Sequence, residues 1–209
     1  MTKRVYNLSN GYIEKSAYFH KVGKKEASMT TTEELKLVMA AKDNDKEAFA
    51  SLIQLNKQYM YKVALAILMN DEDVADAMQD TILTCWEKIP GLREERYFKT
   101  WMTKILINHC YAIINDRKCF TDLSEWEEPA VTDEYNLELK EALSLLSEKY
   151  RPVVILYYVH EFETKEIAEI LNISKTAVTT RLQRARKKLA GYYNSDFQGE
   201  MKNERQEYI

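Results

Sequence analysis

The residues best suited to chemistry lie between Lys175 and Ala190, where six Lys or Arg residues occur against no Asp or Glu. The chemistry they suit is recognition. Thr176, Thr179, Thr180 and Gln183 carry short hydroxyls and an amide of the kind that reach base edges in a major groove, while the cations further along, Arg184 and Lys187 among them, suit phosphates. A solvated basic helix has the same composition, so the charge run does not decide the matter alone.

The elements that would position these side chains do decide it. Val178, Leu182, Ala185 and Leu189 form one apolar stripe, which predicts a helix with its polar face outward. Just upstream, Ile167, Ala168, Ile170 and Leu171 give a second short helix an inward face, and small Ala168 permits a close crossing. Asn172, Ile173 and Ser174 break the pattern. Asn favours a turn, Ile173 can plug the angle between the helices, and Ser174 is placed to cap the second helix. A helix over 164–172, a tight turn and a basic helix from Lys175 make a helix-turn-helix.

A second set of chemically capable residues lies in Asp73–Ile89. Val74, Met78, Ile82, Cys85 and Ile89 are expected to face a core, leaving Asp76, Gln79, Asp80, Leu83 and Glu87 outside. An exposed leucine among carboxylates suits a docking surface. The acids also complement the positive end of a helix dipole, which is a purely structural role. As metal ligands, Asp73, Asp76 and Asp80 lack the second acidic cluster or H-x-x-E partner that a helical hydrolase recruits, so no catalytic residue and no metal site is assigned. His109, Cys110 and Cys119 likewise lack a fourth ligand at finger-like spacing.

A third set interleaves Tyr97, Phe98, Trp101 and Tyr111 with Lys99, Lys104, Arg117 and Lys118 on a helix from about Tyr97 to Lys118. Aromatics beside cations grip unpaired nucleic acid, and they are equally ordinary core residues. Asn108 could hydrogen-bond an extruded base edge or bridge a loop.

Composition bounds the rest. The 209 residues are 45% hydrophobic with five Gly and three Pro, which points to an all-α chain. The net charge of −3 hides a segregated pattern, because Thr121–Glu134 holds six acids and no base while the C-terminal helix is basic. Three cysteines without C-x-x-C spacing, and no apolar N-terminal run, fit a reducing cytoplasm. No stretch approaches the ~20 apolar residues needed to span a bilayer.

The pattern divides the chain into a poorly ordered extension over 1–30, with Met29 an alternative start, and a helical domain over 31–118 broken near Asn44 and Asn70. A flexible acidic linker over 119–135, a helix-turn-helix domain over 136–193 and a polar tail over 194–209 follow.

An acidic D-x-x-D-x-x-Q-D helix with a Trp, an aromatic F-x-x-W-x-x-x-I helix with an Asn, an acidic linker and LSEKYRPVVILYYVHEFETKEIAEILNISKTAVTTRLQRARKKL occur in that order. Together they resemble the bacterial extracytoplasmic-function sigma factors across roughly Glu33 to Tyr193. The resemblance implies two small helical domains that bind core RNA polymerase and promoter DNA and help open the promoter. It places Asp76, Gln79, Asp80 and Leu83 on the helix that docks on the polymerase clamp. The loop Leu92–Tyr97 with Trp101 and Asn108 falls where an unpaired minus-ten base is captured, beside Lys99 and Lys104. Thr179, Thr180, Gln183 and Arg184 fall where the minus-thirty-five duplex is read, with Lys175, Arg181, Arg186 and Lys187 nearer phosphates. An anti-sigma factor is implied as a further partner, and no cofactor is. Ala112 stands where the family often has an acid, and Thr179 where a base is frequent, so contacts at the helix end and the promoter preference are this chain's own.

Two other functions compete. A polymerase-independent helix-turn-helix regulator would bind a near-palindromic duplex tightly by itself. A metal-dependent helical hydrolase would bind a divalent ion through Asp76.

Overall fold

The computed structural model describes residues 31–120 and 134–189, with side chains described for 32–117 and 139–189. The expected extension over 1–30, most of the linker and the residues beyond 189 lie outside the described residues. Every described element is helical.

The breaks expected near Asn44 and Asn70 are real chain reversals. Helix α1 (Thr31–Lys42) ends before Asn44, which takes a left-handed φ of 65°. Asp45 then caps α2 (Lys46–Leu68), accepting from the backbone N–H groups of Glu47 and Ala48 at 2.9 and 3.0 Å. At the far end Met69 is again left-handed, and Asn70 caps α3 (Asp71–Lys88) by accepting from Asp73 N–H at 3.0 Å. Asp71, Glu72 and Asp73 in the first turn of α3 oppose the positive end of its dipole. Two single 3₁₀ turns, Ile89–Gly91 and Glu95–Tyr97, lead into α4 (Phe98–Phe120). Leu52, Met60, Leu65, Val74, Ile89, Phe98, Met102 and Leu106, contributed by α2, α3, α4 and the first 3₁₀ turn, form one buried cluster.

The second half starts at α5 (Glu134–Ser144) and continues through a short α6 (Arg151–Val154) that runs directly into a π-helical turn, Ile155–Val159. Arg151 Nε donates to the carbonyls of Leu143 and Leu146 at 3.1 and 3.0 Å, closing the end of α5 onto α6. Helix α7 (Thr164–Leu171) is opened by a capping box between Glu163 and Glu166 and closed by left-handed Asn172 at φ 51°. Helix α8 covers 175–189. Ser174 Oγ accepts from Ala177 N–H at 3.1 Å, the cap that the sequence predicts. Val178, Leu182, Ala185 and Leu189 are all buried, as their stripe requires.

Two expectations are refined by the structure. Helix α4 reaches Phe120 and α5 begins at Glu134, so helix occupies both ends of the stretch expected to be linker. Of the expected stripe, Val74, Cys85 and Ile89 are buried and Met78 and Ile82 are partly buried against the core, while Ala77 and Thr81 are buried beside them. Thr81 is accommodated because its hydroxyl donates to the Ala77 carbonyl at 2.6 Å, which satisfies it in an apolar setting.

The two halves touch. Tyr59 on α2 packs against the rings of His160 and Phe162, and Lys140 on α5 donates to Asp71 Oδ2 at 2.6 Å, whose other oxygen accepts from the Tyr61 hydroxyl at 2.9 Å.

Candidate nucleic-acid interface and docking face

On α8 the apolar stripe faces the core, so the opposite face is fixed by helical geometry. Lys175, Thr176, Thr179, Gln183, Arg184 and Lys187 are exposed there, while Thr180 and Arg181 are half-buried. The hydroxyls of Thr179 and Thr180 each donate back one turn, to the carbonyls of Lys175 at 3.1 Å and Thr176 at 2.8 Å. The cations divide. Arg186 turns inward, its Nε donating to the Tyr158 hydroxyl at 2.5 Å, and so joins the fold rather than the basic face. The Arg184 guanidinium beside Tyr150 holds that phenol below its ordinary pKa, with burial opposing and Lys149 and Lys188 adding to the fall. Arg181 lies close enough to Tyr111 to act on it electrostatically: burial pushes the Tyr111 hydroxyl up and Arg181 partly offsets it.

On α4, Trp101, Lys104 and Asn108 follow at helical spacing on one face, with Tyr97 a turn before them. Tyr97 is 50% exposed, Lys104 and Asn108 are exposed, and Trp101 is half-buried with its ring 5.9 Å from that of Phe98. The arrangement offers two aromatic planes, a cation and an amide along one edge. Lys99 is not part of it. It lies on the other side of the helix with its Nζ 4.6 Å from the centre of the Tyr59 ring.

On α3, Asp76, Gln79, Asp80 and Leu83 form one exposed surface, and Leu83 is 56% exposed. Beside them runs a groove of about 460 Å³ between α2 and α3, floored by Val74, Met78 and Ile82 and bounded by Tyr61, Gln79 and Leu83. Met78 and Ile82 both line this groove and pack against the core. Asp73 is separate from this face: it is buried and paired with Arg117. Burial pushes its carboxyl up and Arg117 pulls it back. Asp73, Asp76 and Asp80 therefore do not converge, and no cluster of three His, Cys, Asp or Glu suited to a metal occurs among the described residues. Among them, too, no helix is long and apolar enough to cross a membrane. Cys85 and Cys110 are buried free thiols and Cys119 lies outside the described side chains.

Comparison with known proteins places these surfaces in context. Residues 52–118 match the family model Sigma-70 region 2, and residues 136–189 match Sigma-70, region 4. The ECF RNA polymerase sigma factor SigW of Bacillus subtilis (strain 168) is 26% identical over 174 residues, covering 74% of this chain and 93% of the relative. The RNA polymerase sigma factor SigV of the same strain is 28% identical over 154 residues, covering 71% and 93%. Among solved structures, CnrH in complex with the cytosolic domain of CnrY shares the fold with a TM-score of 0.60 at 23% identity, covering 78% of this chain and 99% of that one. The sigma factor RpoE in complex with the anti-sigma factor NepR from Bartonella quintana shares it with a TM-score of 0.59 at 24% identity, covering 71% and 98%.

Proposed function

The chain belongs to the sigma-70 family, as an extracytoplasmic-function sigma factor that directs promoter recognition for transcription initiation, and from that premise we propose how its three surfaces divide the work. The α3 face of Asp76, Gln79, Asp80 and Leu83 docks on core RNA polymerase. Leu83 supplies the desolvated anchor, with the carboxylates around it setting orientation and partner. The outer edge of α4 captures an unpaired minus-ten base: Tyr97 and Trp101 stack, Asn108 reads an edge and Lys104 holds the backbone. Strand opening is costly, and contacts available only to an extruded base offset it. Helix α8 lies in the minus-thirty-five major groove, where Thr176, Thr179, Thr180, Gln183 and Arg184 face bases and Lys175, Arg181 and Lys187 face phosphates. An anti-sigma factor fits as a further partner, as one of the structural relatives was solved with one.

The observation that carries this reading is the presence of both family matches in one chain, one over α2–α4 and one over α5–α8. A regulator acting without polymerase needs only the second. Transcription by reconstituted core polymerase on genomic fragments is the test. Adding this chain is expected to yield promoter-specific transcripts from sites with two unlike elements. Absence of any such transcript, together with tight binding of the free chain to a near-palindromic duplex, would overturn the proposal in favour of an independent regulator.

A further inference from the structure

One turn carries part of the contact between the two halves. After the π-helical turn Ile155–Val159, Glu161 adopts a left-handed φ of 56°. A non-glycine residue held there costs free energy that the surroundings must offset. The turn sets the rings of His160 and Phe162 against Tyr59, with ring centres 4.0 and 6.4 Å away. Tyr59 is 4% exposed, and its hydroxyl bonds Thr103 on α4. His160 Nε2 is buried with no hydrogen-bond partner, an unusual cost for a native structure.

We propose that the His160–Glu161–Phe162 turn is an intramolecular latch seating region 4 on region 2, and that placing a charge on the His160 imidazole opens it. The need for opening rests on the sigma reading. Elements near minus thirty-five and minus ten lie about 25 base pairs apart, ~85 Å of straight duplex at roughly 3.4 Å per base pair. In the latched chain α4 packs against α7, and Arg181 of α8 acts on Tyr111 of α4, so the two reading helices are neighbours. They cannot reach both elements without separating.

The charged and titratable groups around the imidazole make the latch sensitive to protonation. From α2 come Lys62 and Tyr59, from α4 comes Lys99, and Glu161 belongs to the turn itself; Glu166 of α7 acts on Tyr59. Burial first, and then Lys99 and Lys62, hold His160 well below its ordinary pKa in the latched state. In an opened chain it returns to about 6.5. Above that pH the imidazole is neutral in both states and the latch is indifferent to pH. Below it the open state takes up a proton that the latched state refuses, so the latched-to-open ratio falls about tenfold per pH unit. Opening also releases Lys99 from the Tyr59 ring.

Small-angle scattering on the full chain tests this without polymerase, so its failure is distinct from failure of the transcription assay. The wild-type radius of gyration is expected to rise between pH 7.5 and 5.5 at unchanged helical circular dichroism, and His160→Gln is expected to stay compact at both. His160→Lys, if folded, should be expanded already at pH 7.5. A wild-type radius that does not change, an acid expansion that persists in His160→Gln, or an expansion accompanied by loss of helix overturns the latch.

Discussion

Arg186 donates from Nε to the Tyr158 hydroxyl, with its guanidinium 5.7 Å from the centres of both the Tyr157 and Tyr158 rings. One of the six cations on the basic stretch is thus a strut between α8 and the π-helical turn. Arg186→Ala is expected to lower unfolding stability by about 1–3 kcal/mol, from the lost hydrogen bond and cation–π contacts. Urea denaturation measures this. Duplex affinity per folded molecule should change little.

Gln183 and Lys187 are both exposed on α8 but are expected to fail differently. Gln183→Ala should cost about 1–3 kcal/mol on the preferred duplex and relax preference at one position. Lys187→Ala should weaken all duplexes alike and shrink the slope of log affinity against log salt by about 0.9. Titrations of matched and mismatched duplexes at two salt concentrations separate the two effects. Equal losses on all sequences for Gln183→Ala would remove it from base reading.

Leu83→Glu places a carboxylate in the middle of the proposed polymerase face. Because Leu83 is so exposed, stability should stay within about 0.5 kcal/mol of wild type. Affinity for core polymerase should fall at least about tenfold, the scale of an anchor residue. Competition against labelled wild-type chain reports it. Unchanged affinity with Leu83→Glu and with Asp80→Lys would move the docking face elsewhere.

Burial pushes the thiols of Cys85 and Cys110 up to about 12. At pH 8 only about one in ten thousand of either is thiolate, and the thiolate is the nucleophile. Alkylation of the native protein followed by mass spectrometry should leave both unmodified, and both should react once the chain is unfolded in urea. Rapid native alkylation of either would mean that its helix packing opens readily.

Much of the fold is legible in residue types. The turn at Asn172–Ser174, the cap by Ser174 and the buried stripe from Val178 to Leu189 follow from local propensity and period, which neighbouring elements do not alter. On α3 the same method found Val74, Cys85 and Ile89 but missed Ala77 and Thr81. Thr81 carries a hydroxyl into the core, and the Ala77 carbonyl one turn back satisfies it there. The inward course of Arg186 and the sideways course of Lys99 depend on Tyr158 and Tyr59, which are distant in sequence, so no helical periodicity could reveal them. The meeting of Tyr59 with His160 is of the same kind. An aromatic followed by a left-handed Glu161 left no compositional trace.

The back-bonds of Thr179 and Thr180 restrict what α8 can say to a base. With their hydrogens committed to the carbonyls of Lys175 and Thr176, these hydroxyls turn only lone pairs outward. A guanine edge offers only acceptors at O6 and N7, so it gains nothing from them; the amino groups of cytosine and adenine can supply the missing hydrogen. If α8 lies in the groove as proposed, the register opposite Thr179 is expected to be biased against guanine on the contacted strand, a preference written by the helix backbone rather than by the side chain alone.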